Sequence, residues 1–134
     1  EKFYFLDTGL CAYLCKWPNA EMLEKGVMNG AFYETYAISE IVKSYMNAGE
    51  DYRQYLYYYR DKDKKEADLI IEGPDCIYPI EIKKGINTVS SNFNFKFLEK
   101  YGKTVMKGLL IDSREDLFPI NEDNWYLPIY MIGL

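Results

Sequence analysis

The sequence predicts one mixed α/β domain, with an α-β-β-β-α-β order of elements and helices on both faces of a mixed β-sheet. Three observations support this class. A helical pattern of apolar residues spans 29–47, strand-like apolar runs follow between 55 and 82, and a second helical pattern precedes an apolar run at 104–112. A helix between two strands favours parallel pairing of those strands. At 134 residues and 49% hydrophobic, the chain is long enough to bury one ordinary core.

Residues 1–28 are predicted to form a connecting segment with a short helix, and residues 29–134 the main domain. Asp7-Thr8 has the composition of a helix cap, and Trp17-Pro18 ends that helix because proline cannot continue it. The chain starts at Glu1 instead of methionine. We therefore expect it to be a piece of a longer protein.

The main helix is predicted at 29–47, with Asn29 as its N-cap and Asn47 to Gly49 as its end. Glu34 lies on the apolar stripe of this helix, since it stands four residues before Ile38 and seven before Ile41. Burying an unpaired charge is expensive, so this carboxylate needs a partner. The stripe that helical spacing defines contains Tyr33, Ala37, Ile38, Ile41 and Tyr45.

Three strands are predicted after this helix. The runs 55–60, 67–71 and 77–82 are rich in β-branched and aromatic residues. Polar turns separate them, Asp61-Lys62-Asp63-Lys64-Lys65 and then Glu72-Gly73-Pro74-Asp75. We expect an antiparallel three-stranded meander.

Charged residues alternate with apolar ones on the second and third strands. Strand side chains point to alternate faces, so Glu66 and Asp68 project to one side of their strand. Glu81 and Lys83 do the same on the next strand. We expect the other face to cover a core through Ala67, Leu69, Ile80 and Ile82.

Asp68 facing Glu81 and Lys83 is the arrangement needed for metal-assisted phosphodiester hydrolysis. Two neighbouring carboxylates repel each other unless a cation relieves the repulsion. Mg²⁺ is commonly held by one or two carboxylates together with substrate phosphate. The Lys83 ammonium would orient or activate the attacking water, or stabilise the charge on the phosphorane.

Structural explanations remain open for the same residues. Glu81 and Lys83 also fit an exposed pair on one face of an amphipathic strand, with Asp68 as a solvated neighbour. Glu34 has two candidate partners. One is a metal ion or water held by Asp68 and Glu81, and the other is the positive end of its own helix, which favours an acid in the first turns.

At these residues the sequence resembles the PD-(D/E)XK nuclease superfamily, whose pattern is a helical Glu, a strand Asp and then Glu-x-Lys on the next strand. The stretches YFLDTGLCAYL, GAFYETYAISEI, YYYRDKDKKEADLII and YPIEIKKG look like one group within it, the C-terminal domain of unknown function of archaeal and bacterial AAA-type ATPases. The resemblance implies a restriction-endonuclease-like fold. It implies Asp68, Glu81 and Glu34 as ligands of Mg²⁺ or Mn²⁺, and as catalytic residues Glu34, Asp68, Glu81 and Lys83.

The resemblance implies a C-terminal nuclease-like domain of an ATP-binding protein, with Mg²⁺-dependent hydrolysis of nucleic acid as its activity, that of a metal-dependent deoxyribonuclease. The alternative is a non-catalytic module that recognises nucleic acid or a protein partner for its ATPase. An enzyme acting on carbohydrates or small molecules through Glu34 and Asp68 would leave Lys83 without a role. The sequence contains no GxxxxGK[ST] motif, so no ATP site is assigned to it, and we expect the ATPase domain upstream.

Positive charge is concentrated around the candidate site. The chain carries a net −5, but residues 53–107 hold 11 basic and 8 acidic side chains, a net +3. The lysine-rich loop equally fits a solvated turn. The tyrosines at 55–60 either stack on bases or pack with a wet hydroxyl, and the second is favoured by the 14 tyrosines of the chain. We predict DNA as a partner, bound by Arg60, Lys62, Lys64, Lys65 and Lys84.

The remaining elements carry no predicted chemistry. Residues 91–101 are predicted as the second helix, 104–112 as a buried strand and 126–132 as a last strand, which Pro128 would place at a sheet edge. No apolar run is long enough to cross a membrane, and no signal-peptide pattern is present. Three cysteines are too few for a disulfide framework. We therefore expect a cytoplasmic protein with no membrane partner.

Overall fold

A mixed β-sheet forms the centre of the chain in the computed structural model, which describes residues 29–132 together with Asn19, Glu21 and Lys25. Its strands are β1 (Leu56–Arg60), β2 (Glu66–Glu72), β3 (Cys76–Ile82), β4 (Thr104–Val105), β5 (Gly108–Asp112), β6 (Phe118–Pro119) and β7 (Asn124–Pro128). The strand order is β1-β2-β3-β5-β7-β6, with β4 also paired to β3. Pairing is antiparallel from β1 to β3 and parallel from β3 through β5 to β7. This confirms the predicted mixed α/β class.

The helix α1 (Asn29–Asn47) covers one face of the sheet. Its predicted end is confirmed, because Gly49 has a φ of 76° and its N–H donates to the Met46 carbonyl at 3.0 Å. Glycine favours this left-handed conformation at a helix end. The predicted stripe is also confirmed, and the helix buries Ala37, Ile38, Ser39, Ile41 and Val42, with Tyr33 and Tyr45 packed beside them.

The predicted three-stranded meander is confirmed, since β1, β2 and β3 fall on the three predicted runs. The β2–β3 register pairs Leu69 with Ile80 and Glu72 with Ile77. The turn between them is closed by a hydrogen bond from the Gly73 N–H to the Cys76 carbonyl at 2.8 Å.

A β-bulge interrupts β2. Tyr57 pairs with Ile70 but Tyr59 pairs with Ala67, so β2 has one more residue than β1 between these pairs. The extra residue reverses the alternation of side chains along β2. Ala67 consequently packs with Ile70 on one face, while Leu69 packs against α1 on the other. The prediction that Ala67 and Leu69 share a face is therefore wrong.

The connection from β3 to β5 differs from the prediction. The helix predicted at 91–101 is a six-residue 3-10 helix, Lys96–Tyr101. Just before it, the Asn94 side chain accepts a hydrogen bond from the Lys96 N–H at 3.0 Å. Serine and asparagine side chains compete in this way with the backbone bonds of a helix, which explains its late start. The predicted strand 104–112 is split into β4 and β5, and both pair parallel with β3 as expected.

The end of the domain also differs. The predicted strand 126–132 ends at Pro128, and a 3-10 helix, Ile129–Met131, follows. β7 lies between β5 and β6 in the sheet. The prediction that Pro128 marks an edge strand is therefore wrong, and this proline instead occupies the last position of an inner strand.

Two apolar clusters cover the two faces of the sheet. On the first face, the α1 stripe packs against Leu69, Ile80, Ile82 and Ile111. On the second face, the cluster contains Ala67, Ile70, Ile77, Phe95 and Leu98. The 3-10 helix Lys96–Tyr101 supplies the second cover, so both faces are covered, but the second cover is a short 3-10 helix and not the predicted α-helix.

The predicted connecting segment at 1–28 lies outside the described residues, apart from Asn19, Glu21 and Lys25. Within the part of the chain that is described, no helix combines the length and the apolar composition needed to cross a bilayer.

Candidate functional site

Asp68 lies at the bulge of β2 and is only 8% exposed. Its Oδ2 atom accepts a hydrogen bond from the N–H of Ile82 on β3 at 2.7 Å. The last backbone pair of the β2–β3 ladder is Leu69 with Ile80. The carboxylate therefore continues the contact between the two strands where the ladder stops, through a charge-assisted bond. Bulges commonly redirect a side chain in this way beside functional sites.

Glu81 is the next-to-last residue of β3, and Lys83 directly follows the strand. One further step of the ladder from Leu69 and Ile80 sets Glu81 opposite Asp68. Lys83 Nζ lies 3.4 Å from Glu81 Oε1, so the two side chains share one side of the strand, as predicted. The Lys83 side chain is 42% exposed and the Glu81 side chain 26%, and an ion pair at this exposure contributes little to stability.

Glu34 lies on α1 and is partly exposed. Ile80 and Ile82 pack under α1, so Glu81 between them points to the opposite face of the sheet. Among the described residues, no group of three His, Cys, Asp or Glu side chains is arranged to hold a metal ion. The structure thus brings Asp68 and Glu81 onto neighbouring strands but does not gather Glu34 with them. The metal-binding roles of these residues stay predictions.

The loop after Lys83 is held by the end of β5. The Ser113 N–H donates to the Gly85 carbonyl at 2.9 Å, and the Gly85 N–H donates to Ser113 Oγ at 3.3 Å. Ser113 Oγ in turn donates to the Tyr33 hydroxyl at 3.1 Å, which ties the loop to α1. Burial raises the pKa of this tyrosine. Gly85 has a φ of 82°, a conformation that glycine adopts without strain.

A buried ion pair between Asp112 and Arg114, not predicted from the sequence, lies at the end of β5. Asp112 Oδ1 lies 2.9 Å from Arg114 Nε, and Asp112 Oδ2 lies 3.1 Å from Arg114 Nη2. The Asn87 N–H donates to the same Oδ2 at 3.0 Å. Burial opposes ionisation of Asp112, but the hydrogen bonds from Arg114 and Asn87 outweigh it and lower the pKa of this carboxyl. The carboxylate raises the pKa of Arg114.

Arg114 also fixes the far part of the loop that follows Lys83. Its guanidinium carbon lies 3.4 Å from the ring centroid of Tyr126, and its Nη2 donates to the Asn87 carbonyl at 2.7 Å. The Tyr126 hydroxyl accepts from the Val89 N–H at 3.0 Å. Asp112 is the last residue of β5 and Arg114 stands two residues later, so this spacing is visible in the sequence, whereas the contacts with Asn87 are not.

The predicted DNA-binding side chains lie mainly at one end of the meander. The antiparallel register sets the 61–65 turn at the same end as the last residues of β3. Asp61 Oδ1 accepts from the N–H groups of Asp63 and Lys65, at 2.9 and 3.0 Å, which fixes the shape of the turn. Arg60 Nε lies 3.8 Å from Glu66 Oε2. The turn exposes Lys62, Lys64 and Lys65, and Lys84 is partly exposed.

The fold and this arrangement define a mixed α/β domain with two carboxylates and a lysine at the boundary of its second and third strands. Comparison with known families adds a finer identification. The family described as Domain of unknown function (DUF4143) matches residues 29–132, so the chain belongs to this family. Such domains are often found with AAA ATPases. No curated protein and no solved structure matches the chain.

Proposed function

We propose that this domain acts on the phosphodiester backbone of nucleic acid, as a restriction-endonuclease-like member of the PD-(D/E)XK superfamily. One observation carries the proposal. Asp68 on β2 lies beside the Glu81-Ile82-Lys83 segment, which runs from the end of β3 into the following loop, and the hydrogen bond from the Ile82 N–H to Asp68 Oδ2 joins the two. This is the strand arrangement on which the superfamily's pattern depends.

The side chains fit Mg²⁺ through two carboxylates. This ion takes one or two carboxylates from a protein and completes its shell with water and substrate phosphate. Asp68 and Glu81 supply two from neighbouring strands, whereas no three acidic side chains are gathered among the described residues. When bound, the ion would polarise the phosphate and lower the pKa of a bound water.

The other groups of the site hold the substrate and position the lysine. Lys83 Nζ, 3.4 Å from Glu81 Oε1, supplies positive charge for the attacking water or for the charge that develops on the phosphate. The Asp112–Arg114 pair fixes the loop that starts at Lys83, through its bonds to Asn87. The exposed lysines of the 61–65 turn attract the phosphate backbone.

Calorimetric titration of Mn²⁺ or Mg²⁺ into the chain tests this proposal. We expect saturable binding that is lost in Asp68→Asn and in Glu81→Gln, since each removes one negative ligand. Asparagine keeps an oxygen that can accept from the Ile82 N–H, so the first change leaves that bond in place. Glu66→Gln is the matched control, because Glu66 is an exposed acid on the same strand.

The proposal fails if metal binding is absent in the folded chain, or if it survives both substitutions unchanged. Cleavage of labelled single- and double-stranded DNA by the metal-loaded chain, and its loss in Lys83→Met, then tests the activity itself.

A second candidate function is a non-catalytic module that recognises nucleic acid or a protein partner for an ATPase. It is favoured by the contact between Lys83 and Glu81, which neutralises one proposed ligand. The frequent association of the family with AAA ATPases supports an ATPase as the protein it serves. DNA binding that needs no metal and is never followed by cleavage would favour this module.

A further inference from the structure

We infer that a cleft beside β1 binds the bases of single-stranded nucleic acid. This tyrosine cleft has a volume of about 270 Å³. It is lined by Tyr57, Tyr58, Tyr59, Tyr101, Ile70 and Ile77, and by the ion pair of Lys103 with Glu72. β1 ends the sheet formed by the described residues, and Tyr59 and Ile70 belong to the cluster on the face opposite α1. None of Asp68, Glu81 and Lys83 lines the cleft. The inference rests on the proposed function in taking nucleic acid as the ligand.

Ring contacts hold the walls of the tyrosine cleft. Tyr59 stacks on Phe97 with centroids 5.7 Å apart, and Tyr101 meets Tyr59 edge-on at 5.6 Å. Tyr57 and Tyr101 nevertheless remain 45% and 56% exposed. Exposed aromatic faces are the surface on which bases stack without regard to sequence. Rings already held in place lose less conformational freedom when a ligand binds.

Positive charge lies next to these rings. Lys100 Nζ lies 5.5 Å from the ring centroid of Tyr59 and 5.4 Å from that of Tyr101. It also lies 3.8 Å from Asp61, the first residue of the lysine-rich turn. The cleft therefore leads towards a basic turn that complements phosphate charge. In the part of the chain that is described, no ion pair involves Lys62, Lys64 or Lys65.

A single strand fits this surface better than a duplex or a peptide. The bases of a duplex are stacked on each other and offer only their edges in the grooves, so a cleft lined by rings reaches them only after they unstack. An apolar peptide would fill the cleft but would not account for the lysines, and an acidic peptide would account for the lysines but not for the exposed rings. A flexible polyanion with planar groups accounts for both features.

The tyrosine cleft and Glu81 face the same side of the sheet. Ile77, which also lines the cleft, stands four residues before Glu81 on β3, and side chains at even spacing share a face. Four residues of a strand span about 13 Å. A nucleic-acid strand held in the cleft therefore continues towards the proposed site.

Fluorescence anisotropy with a labelled oligothymidylate of about 15 nucleotides tests the inference, at about 50 mM salt and with a chelator present. We expect Tyr57→Leu to weaken binding by about five-fold or more, because a stacked ring is lost. Tyr57→Phe keeps the ring and should bind as the parent does. Tyr36→Leu is the matched control, since Tyr36 on α1 is also 45% exposed. If Tyr57→Leu does not fold, the same loss of affinity is expected in Tyr101→Leu, and that variant replaces it in the test.

Three results would overturn the inference: unchanged affinity in Tyr57→Leu, or in Tyr101→Leu where the first variant does not fold; equal affinity for a duplex of the same length; or displacement of the oligonucleotide by polyglutamate at equal charge. The last would show that charge alone, as on an acidic peptide, explains binding. The chelator separates this test from that of the proposed function. If the chain binds the oligonucleotide but shows no metal binding in the calorimeter, the cleft is retained and the metal site is refuted. If it binds metal but not the oligonucleotide, only the cleft is refuted.

Discussion

Replacing Arg114 by leucine tests whether the buried ion pair at the end of β5 stabilises the domain. Asp112 is fully buried and Arg114 is 16% exposed. Removing one partner of a buried pair costs about 3–5 kcal/mol, because the other charge is left in low dielectric. Asp112 keeps the bonds from the backbone N–H groups of Asn87 and of residue 114. We therefore expect a loss at the low end of this range, about 3 kcal/mol in the free energy of unfolding at pH 7, which lowers Tm by about 10 °C.

The same substitution should lose its effect in acid. The pKa of Asp112 is lowered in the folded protein, so its contribution to stability is present above the unfolded pKa of about 3.9 and disappears as the pH falls through the folded value. Without Arg114, burial would raise this pKa, and the carboxyl would become neutral at a higher pH. The difference in unfolding free energy between parent and variant should therefore shrink as the pH falls from 7 towards 3.

Urea unfolding at several pH values measures both effects, and Arg53→Leu is the control. Arg53 Nε binds Asp51 Oδ1 at 2.8 Å with the same two-residue spacing, but Arg53 is 76% exposed. We expect this control to change the unfolding midpoint little, because water screens an exposed pair. The reasoning would be refuted if Arg114→Leu lowered the free energy of unfolding no more than Arg53→Leu does. It would also be refuted if the loss in Arg114→Leu were the same at neutral and acid pH.

Two further pairs of substitutions test the bulge and the packing on the second face. Asp68→Ala should lower the free energy of unfolding by about 1–3 kcal/mol, because the Ile82 N–H loses its acceptor, and Asp68→Asn should lose less; urea unfolding compares the two. Gly108→Ala should cost about 1–3 kcal/mol, since its Cβ would meet the Phe95 ring at 2.5 Å. At Gly30 on α1, an added Cβ meets nothing within 4 Å, so Gly30→Ala should raise Tm slightly, with a gain of about 0.5 kcal/mol in the free energy of unfolding. Equal Tm values for Gly108→Ala and Gly30→Ala would contradict this account.

The sequence predicts the elements whose signals are local. The helix at 29–47 and the three-stranded meander are correct because apolar spacing, turn residues and the glycine at 49 all lie within or next to each element. The prediction of a helix at 91–101 is wrong because helical spacing of apolar residues also occurs in this segment, where serine and asparagine side chains hydrogen-bond the backbone. The edge position of Pro128 fails because β6, only two residues long, has no periodicity to indicate its place beside β7.

The site shows the same division between local and distant contacts. Glu81 and Lys83 share a side of their strand, as two-residue spacing predicts. The bulge is invisible in the run EADLII, because apolar residues on both faces hide the change of alternation. The ion pair of Asp112 and Arg114 depends on contacts with Asn87, 25 and 27 residues away in the chain. Such contacts have no signature in a single sequence.

The bond between the Ile82 amide and the Asp68 carboxylate has a spectroscopic consequence. An amide proton bound to a carboxylate changes its chemical shift when that acceptor gains a proton or a cation. In a nitrogen–proton correlation spectrum, the Ile82 cross-peak should therefore move with the charge state of Asp68. One backbone resonance thus reports directly on the carboxylate of the proposed site, in the unmodified chain and without a substrate.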